Sequence, residues 1–378
     1  MSGSILGQKF RISTWGESHG SAIGATIDGC PSGIPITTAD IQAQLDRRKP
    51  GNSPYATKRK ESDRVEILSG IFDNRTTGTP IAMMIKNEDQ RSRDYDPEPY
   101  RPGHADYTYD LKYGFRDYRG GGRASARETA ARVAGGAIAQ KFLAELGTKI
   151  TAYTHSIGDV SVSEPDFSFT NHLNMPDKAA YSQASKLVEE AIQNGDSLGG
   201  EIKCIITGIP TGVGEPVFDK LESVLGHGIL SIGGIKGISF GAGFDSAKMT
   251  GSSHNDSMYV ENTDDKTIDK TIDKTIGKKI DKKIKKKTNH AGGMYGGISD
   301  GSPIVFTAAV KPTPSIAKAQ CSVNRQNENI KLEIRGRHDP LIVPRAVIVV
   351  EAMAALAVAD LILLGLTSNI ENIRKILL

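Results

Sequence analysis

The chain has 378 residues, 38% of them hydrophobic and 24% charged, which is the composition of a soluble globular protein with one large or two ordinary domains. Its formal net charge of +3 is misleading, because residues 262–288 hold ten Lys and five Asp and leave −2 for the rest of the chain. A nearly neutral body gives no electrostatic reason to expect a nucleic acid as a partner.

The N-terminal part of the chain predicts short strands around Gly-rich turns. A helix is expected from Thr38 to about Arg48, with Thr37 or Thr38 as its N-cap. A long polar segment, 86–106, contains three prolines, and loops of this length are usually functional or disordered. The predicted strands are 10–14, 22–27, 65–71 and 81–85.

The rest of the chain predicts long helices separated by blocks of strands. The predicted helices are 124–146, 179–193, 218–230 and 343–364, and the C-terminal tail is also helical in pattern. The predicted strands are 200–208, 237–241, 301–310 and 331–335. Because strands and helices do not alternate as regular βαβ units, the expected fold class is α+β.

Residues 262–288 form a low-complexity segment. Thr-Ile-Asp-Lys recurs from Asp264 onwards and decays into a Lys-rich run that ends at Lys287. A solvated or disordered surface insertion in a single-domain chain, 1–378, is favoured over a separate binding module.

Two histidines lie in Gly-containing polar turns. His19 is part of the pentapeptide Gly-Glu-Ser-His-Gly at 16–20, and His104 is part of Arg-Pro-Gly-His-Ala-Asp at 101–106. Histidine titrates near neutrality, flanking glycines let a ligand approach closely, and Ser18 can orient the ring or a bound anion. The same residues also occur in ordinary turns with a structural histidine, and the pattern alone leaves both readings open.

The strongest local signal is the glycine turn 120–122 and the predicted helix that follows it. Arg123, Ser125 and Arg127 lie in the first residues of that helix. Free amides and the helix dipole at such a terminus favour anions, and arginine forks suit phosphate and carboxylate. A capped surface helix is the alternative. A Walker A loop is excluded, because the Gly-Lys-Ser/Thr ending is missing.

Four further segments place basic residues or glycine pairs in turns: 46–51, 289–297, 311–315 and 335–340. Basic residues at the end of a helix suit its dipole, but they can also reach a dianion. Glycine pairs let the backbone lie against a flat ring. Together these segments fit a substrate with phosphate and carboxylate groups and a large flat phosphorylated cofactor, and they contain no metal-binding set.

Composition also bears on the compartment. The three cysteines are far apart and in no metal-binding spacing, so reduced thiols are expected. The N-terminus shows no pattern of a secretory signal. The most apolar run, 346–366, contains Glu351 and Asp360, which are costly at the centre of a bilayer, so a buried helix is predicted. We expect a cytoplasmic protein without a membrane partner.

These segments, in this order, resemble the chorismate synthase family from Gly7 to about Asp360. The motifs that carry the resemblance are 16–31, 122–138 and 337–352. It implies a β-α-β sandwich of antiparallel sheets around a helical layer, assembled as a homotetramer. It also implies the last step of the shikimate pathway, in which 5-enolpyruvylshikimate 3-phosphate loses phosphate by 1,4-anti elimination to give chorismate, with reduced FMN and no net redox change.

The resemblance also implies roles for individual residues. His19, with Ser18 as its neighbour, matches the acid that protonates the leaving phosphate, His104 matches the histidine beside the reduced flavin, and Asp339 matches an Asp that relays a proton near flavin N5. The implied substrate-contacting arginines are Arg48, Arg101, Arg127 and Arg337. The implied FMN site consists of Arg123, Ala124, Ser125, Gly233, Gly234, Gly296, Lys311, Pro312, Thr313, Pro314, Ser315 and Arg337.

Some positions depart from the family pattern. Pro54 replaces a basic residue that is common in relatives, which weakens an NADPH contact and favours an external flavin reductase. Gly233-Gly234 replaces an Asn-Ala pair, and Pro314 and Leu341 replace smaller or polar residues. Two alternatives remain open: a flavin oxidoreductase with net hydride transfer, and a non-enzymatic anion or nucleic-acid binder that uses the Lys-rich segment.

Overall fold

The computed structural model describes residues 3–49, 51, 55, 61–89, 95–261, 283–334 and 339–378. These residues form two five-stranded antiparallel sheets, four two-stranded antiparallel ribbons and eight α-helices. Arg335, Arg337 and Pro54, which the sequence analysis named, lie outside the described residues.

The first sheet comes from the N-terminal part of the chain. The strands of this region are β1 (Ile5–Leu6), β2 (Arg11–Trp15), β3 (Ala22–Asp28), β4 (Val65–Ile67), β5 (Ile71–Phe72), β6 (Arg75–Thr76) and β7 (Ile81–Lys86). The sheet has the order β1-β2-β3-β7-β4, and β5 pairs with β6 in a ribbon. Ile23, Ala25 and Ile27 of β3 are fully buried, as the period of two requires for a strand with one covered face.

The second sheet comes from the middle of the chain. The strands of this region are β8 (Lys149–Ile157), β9 (Val160–Ser161), β10 (Gly200–Thr207), β11 (Ile235–Phe240), β12 (Met258–Glu261), β13 (Lys283–Lys286), β14 (Met294–Tyr295), β15 (Ile298–Ser299), β16 (Ile304–Val310), β17 (Gln320–Val323) and β18 (Asn329–Leu332). The sheet has the order β11-β16-β10-β8-β9, and the other strands form the ribbons β12–β13, β14–β15 and β17–β18.

A helical layer lies between the two sheets. The helices are α1 (Thr38–Arg48), α2 (Asp106–Tyr113), α3 (Thr129–Glu145), α4 (Lys178–Gln193), α5 (Leu221–Leu230), α6 (Gly251–His254), α7 (Val343–Gly365) and α8 (Ile370–Leu377). Helix α3 packs on β2, β3 and β7, α7 packs on β8 and β10, and the two helices pack on each other. The expected α+β sandwich is confirmed.

Helix α7 is apolar on all sides because it is enclosed by protein. By length and hydropathy it is long enough to cross a membrane, yet 83% of its most apolar window is buried within the fold. Its two acidic residues form hydrogen bonds and an ion pair with neighbouring elements. Glu351 accepts a hydrogen bond from the amide of Ala152 (2.8 Å) and pairs with Arg47 (2.7 Å). Asp360 accepts the amides of Gln8, Lys9 and Phe10.

The elements differ from the predictions in several places. The strand predicted at 331–335 is β18, which ends at Leu332, and α2 lies where no helix is predicted. The helix predicted from residue 124 begins at Thr129, because Ser125 is extended and separates two short 3-10 turns that precede it. The strand predicted at 65–71 ends at Ile67, ahead of Gly70 in a left-handed conformation. No strand is predicted at 149–157, where β8 runs through the second sheet.

Candidate active site

The Ser18–His19 loop connects β2 to β3, and these two residues are almost completely buried. Ser18 is 1% exposed and His19 is 6% exposed. The loop is closed tightly at Gly16, which has φ +89°, and a Cβ there would lie 2.3 Å from the carbonyl oxygen of Ala22. Glycine is therefore required at this position.

Ser18 is a hydrogen-bond partner of Nδ1 of His19. Its Oγ lies 3.1 Å from Nδ1 of His19 and 3.2 Å from the carbonyl oxygen of Gly120. A hydroxyl has one hydrogen, and a carbonyl can only accept. When Ser18 donates to Gly120, Nδ1 of His19 is the donor to Ser18, and Nε2 is left as the basic nitrogen of the neutral ring.

The glycine turn 120–122 covers the imidazole of His19. A Cβ on Gly120 would lie 2.2 Å from Cε1 and 2.3 Å from Nδ1 of the ring. All three glycines have positive φ, of 63°, 82° and 51°. The turn is thus shaped both by its backbone conformation and by contact with the histidine.

Arg101 lies beside this turn. Its guanidinium donates to both carboxylate oxygens of Asp106, at 2.8 Å each. A Cβ on Gly121 would be 3.8 Å from Nη2 of Arg101. The guanidinium stacks over Tyr95 at 5.6 Å, and the edge of the same ring meets His19 at 5.2 Å. The turns at 16–20 and 101–106 therefore lie together.

His104 is a neutral histidine with a defined tautomer. Its Nδ1 lies 3.0 Å from the carbonyl oxygen of Pro102, so Nδ1 is the donor, and Nε2 accepts from Oγ of Ser315 at 2.9 Å. Burial, followed by the charge of Arg101, lowers the pKa of His104. At neutral pH the ring is therefore uncharged.

His104 is packed against the segment 311–315. The ammonium of Lys311 donates to the carbonyl oxygen of Gly103 (2.9 Å), and the amide of Lys311 donates to that of Gly234 (2.9 Å). Oγ of Ser197 donates to the carbonyl oxygen of Thr313 (2.6 Å). These bonds bring 233–234, 311–315 and His104 into one group.

The segment 311–315 has donors to spare for a ligand. Oγ1 of Thr313 is buried and has no hydrogen-bond partner in the described structure. A Cβ on Gly233 would meet no atom within 4 Å. A buried hydroxyl is normally paired, so this orphan atom and the open space beside Gly233 fit a bound phosphorylated cofactor.

Two of the sequence-predicted arginines share one buried carboxylate. Arg48 lies 2.5 Å from Asp63, and Arg127 forms a second ion pair with Asp63, which is 0% exposed. Burial favours the neutral acid, but the charges of Arg48 and Arg127 outweigh it and lower the pKa of Asp63. The cluster contains two guanidiniums on one carboxylate, with Glu61 3.6 Å from Arg127.

Asp339 is linked to the end of α1 through Arg345. It pairs with Arg345 (2.6 Å), and Nε of Arg345 donates to the carbonyl oxygen of Arg48 (3.3 Å). The carbonyl oxygen of Pro340 accepts the amide of Leu198 (3.0 Å), beside Ser197. Asp339 therefore lies between the arginine cluster and the segment that contacts Thr313.

Similarity to known proteins identifies the family of the chain. The chorismate synthase family model matches residues 10–363. The chain belongs to the chorismate synthase family. A chorismate synthase of Lachnoclostridium phytofermentans is 53% identical over 100% of this chain and 99% of its own length. One of Lachnospira eligens is 51% identical over 99% of each chain. A crystal structure of chorismate synthase covers 98% of this chain and 96% of its own, with a TM-score of 0.73 and 29% identity.

Most residues that the chorismate synthase resemblance singled out lie in this region, but Arg123 has structural partners. Its guanidinium donates to the carbonyl oxygens of Gly16 (3.2 Å) and Thr14 (3.2 Å) and to Oγ1 of Thr14 (2.8 Å). Of its neighbours, Ala124 is exposed, and Oγ of Ser125 accepts the amide of Arg127.

Gly296 lies away from the other assigned flavin positions. It is in the turn between β14 and β15, and the adjacent Gly297 accepts the amide of Leu221 at the start of α5 (2.8 Å). Gly233 follows the other end of α5, and Lys311 follows the far end of β16, which has seven residues and spans about 20 Å. One chain therefore does not bring Gly296 to Lys311.

Sequence reasoning missed three residues of the region: Asp63, Asn87 and Tyr95. Each lies in a polar stretch without a motif. Only Asp63 could have been found from the sequence. The arginines predicted to reach an anion include one at a helix end, and a buried arginine needs a carboxylate partner. Within the described residues, no group of three or more His, Cys, Asp or Glu side chains is arranged to hold a metal ion.

Proposed function

We propose that the chain converts 5-enolpyruvylshikimate 3-phosphate into chorismate and phosphate by 1,4-anti elimination, the last step of the shikimate pathway, using reduced FMN without net redox change. The observation that carries the proposal is the buried Ser18–His19 pair, which lies beside Arg101. His104 belongs to the same turn as Arg101, since its amide donates to the carbonyl oxygen of Arg101. An acid and a guanidinium at one place are what a departing phosphate needs.

His19 supplies the proton to the leaving group. With Nδ1 bonded to Ser18, the transferable proton of the imidazolium is on Nε2. Arg101, held in its orientation by both oxygens of Asp106, stabilises the charge of the phosphate. Arg48 and Arg127 contribute two further cations, partly balanced by Asp63.

The family uses reduced flavin, and the residues at 311–315 fit FMN. When bound, the cofactor supplies electron density to the substrate ring. Lys311, the unpartnered hydroxyl of Thr313 and Ser315 would hold it, with Gly233 leaving room for its approach. His104 keeps Ser315 in place as a neutral acceptor, and Asp339 takes part in removing the ring proton.

The proposed assembly is the homotetramer that the family resemblance implies, and the site assignments call for at least a second copy of the chain. Because Gly296 lies at the opposite end of α5 and β16 from the other flavin positions, a flavin site that includes it takes Gly296 from a second chain. Sedimentation analysis of the pure protein is expected to give a tetramer. A stable monomer with full activity would remove Gly296 from the site.

The decisive assay is phosphate release from 5-enolpyruvylshikimate 3-phosphate under anaerobic conditions with reduced FMN. Turnover is expected only when the flavin is reduced, and none by folded protein would contradict the proposal. In the same assay His19→Ala is expected to lose activity by about 10²–10⁴-fold while it still binds FMN, because only the acid is removed. Loss of FMN binding instead would assign His19 to structure.

The proposed partners are the substrate, further copies of the chain and an external flavin reductase, in the cytoplasm. The reductase is open to a direct test. Consumption of NADPH by the pure protein, without an added reductase, would show that the chain reduces its own flavin.

A further inference from the structure

Asn87 is a half-buried residue that directly follows β7, outside every motif of the sequence. Its backbone amide donates to the carbonyl oxygen of Ser21 (3.1 Å), so its main chain is already fastened to the end of the loop that carries His19. Its side chain points to the same loop.

The side-chain amide of Asn87 makes three hydrogen bonds, and all three are to residues of the site. Nδ2 donates to the carbonyl oxygens of Glu17 (3.0 Å) and Gly20 (2.8 Å), which flank Ser18 and His19 on either side. Oδ1 accepts from Nε of Arg127 (2.8 Å). Two carbonyl acceptors on one side and a guanidinium donor on the other determine the orientation of the amide.

Arg127 is a firm support for this clamp. It pairs with Asp63, donates to the carbonyl oxygen of Lys86 (3.0 Å) and lies 3.6 Å from Glu61. Arg127 would keep these partners if Asn87 were changed. The loop at 16–20 is also held by the amide of Ser18, which donates to the carbonyl oxygen of Gly122 (3.3 Å), and by Arg123 on the carbonyl oxygen of Gly16 (3.2 Å). Asn87 differs from these contacts because it bonds both residues that flank the Ser18–His19 pair.

We propose that Asn87 is a positioning residue that holds the Ser18–His19 loop in register with Arg127. The inference rests on the proposed function of His19, because it is the placement of that acid relative to an arginine of the substrate site that the clamp controls. A displacement of about 1 Å at a reacting group can lower a rate about 100-fold, so such a clamp affects turnover more than substrate binding.

Two variants separate the contacts. Asn87→Asp keeps an acceptor for Arg127 but replaces the donor to Glu17 and Gly20 with an oxygen. Asn87→Ala removes all three side-chain bonds without adding charge. For both we expect kcat to fall about 10- to 100-fold, with KM within about threefold of its original value.

The matched control is Asn171→Asp. The amide of Asn171 also bonds to backbone, donating to Met175 (2.7 Å) and accepting from Leu173 (3.0 Å), in the loop before α4. Its variant is expected to keep kcat. A comparable loss of kcat in this control would overturn the inference, because the effect would then be one of general stability.

A readout independent of turnover is the ring resonance of His19, assigned by its disappearance in His19→Ala. Both Asn87 variants are expected to shift this resonance, and Asn171→Asp is not. An unshifted resonance together with kcat within about twofold of the original in both Asn87 variants would overturn the inference. If the unmodified protein releases no phosphate, the proposed function fails, and the resonance alone still decides the role of Asn87.

Discussion

The two site histidines are assigned the same tautomer, with Nδ1 as the donor, but they have different partners. His104 donates through Nδ1 to a carbonyl and accepts at Nε2 from Ser315, so it is fixed as a neutral ring. His19 is bonded at Nδ1 to Ser18 and lies under the glycine turn, which leaves proton transfer to Nε2. The different roles that we propose for the two histidines therefore rest on their partners and not on the residue type.

The glycine turn gives a prediction with an internal control. Gly120→Ala places a methyl group 2.2 Å from the ring of His19, whereas in Gly121→Ala the nearest atom is 3.8 Å away. Both glycines have positive φ, so both variants carry similar backbone strain. Only Gly120→Ala is expected to lose kcat, by about 10-fold or more, in the anaerobic phosphate assay. Equal losses in the two variants would indicate backbone strain alone.

The lowered pKa of His104 predicts a dependence of stability on pH. The folded chain resists protonation of this ring, so below about pH 6.5 the unfolded chain binds the proton first. The stabilisation is complete above that pH and is lost as the pH falls towards the folded pKa. In urea unfolding, His104→Gln is expected to flatten the decline between about pH 7 and 5. The same substitution at the exposed His227 is the control, and an equal change there would contradict the assignment.

At the scale of elements, α3 and α7 approach each other closely through Gly136. A Cβ on this residue would lie 2.4 Å from Cβ and 2.6 Å from Cα of Ala352. The backbones of the two helices are therefore in close contact at this point. Each helix also contacts strands of both sheets. Close packing of this kind tolerates no added methyl group.

Gly136→Ala is expected to lower the free energy of unfolding by about 1–3 kcal/mol, although alanine favours helix. The control is Gly228→Ala in α5, where the nearest atom, Cε of Met353, is 3.7 Å from the Cβ position. That variant is expected to be neutral or to gain up to about 1 kcal/mol. Thermal or urea unfolding measures both, and a stabilised Gly136→Ala would show that the helices can separate without cost.

The end of the Lys-rich segment is part of the fold. Lys283–Lys286 is β13, paired with β12, and the ammonium of Lys286 is buried between Asp300 (2.7 Å) and Asp256 (3.6 Å). The expectation of a solvated insertion over 262–288 therefore applies to residues 262–282, which lie outside the described structure, and it stays a prediction for them.

Deletion of residues 264–281 is expected to leave phosphate release unchanged, because it spares β13. Lys286→Met, by contrast, leaves Asp256 and Asp300 without their buried cation and is expected to cost about 3 kcal/mol of stability. Activity and thermal unfolding of the two variants check this. A loss of activity in the deletion with unchanged stability would assign the low-complexity segment a function.

At the scale of the whole molecule, the site forms where turns from distant parts of the chain converge on the helical layer. Asp360 and Glu351 of α7 fasten the loop before β2 and strand β8, and thereby join the two sheets through one helix. The first sheet supplies the His19 loop, and the segment after β16 of the second sheet supplies the proposed flavin positions at 311–315. The chemistry therefore depends on the sandwich as a unit.

The sequence by itself determined the element types and the residues with chemical potential. Hydrophobic periodicity and caps located α1, α4 and α7 to within a residue or two, and the Gly, His and Arg motifs identified the turns at 16–20, 101–106 and 120–122. These signals are local, since they depend on neighbours along one helix or one turn. Strand β8 was missed because no clear apolar alternation marks it, and its place is set by pairing with β10.

Only the tertiary structure decided which of those turns meet and what state their side chains take. Three features depend on contacts between residues far apart in sequence. They are the ion pairs of Asp63 with Arg48 and Arg127, the link from Arg127 through Asn87 to the His19 loop, and the separation of Gly296 from Lys311. Hydrogen bonds and buried charges act over a few ångströms in space. The acid–base role proposed for His19 therefore rests on its partners and not on its motif alone.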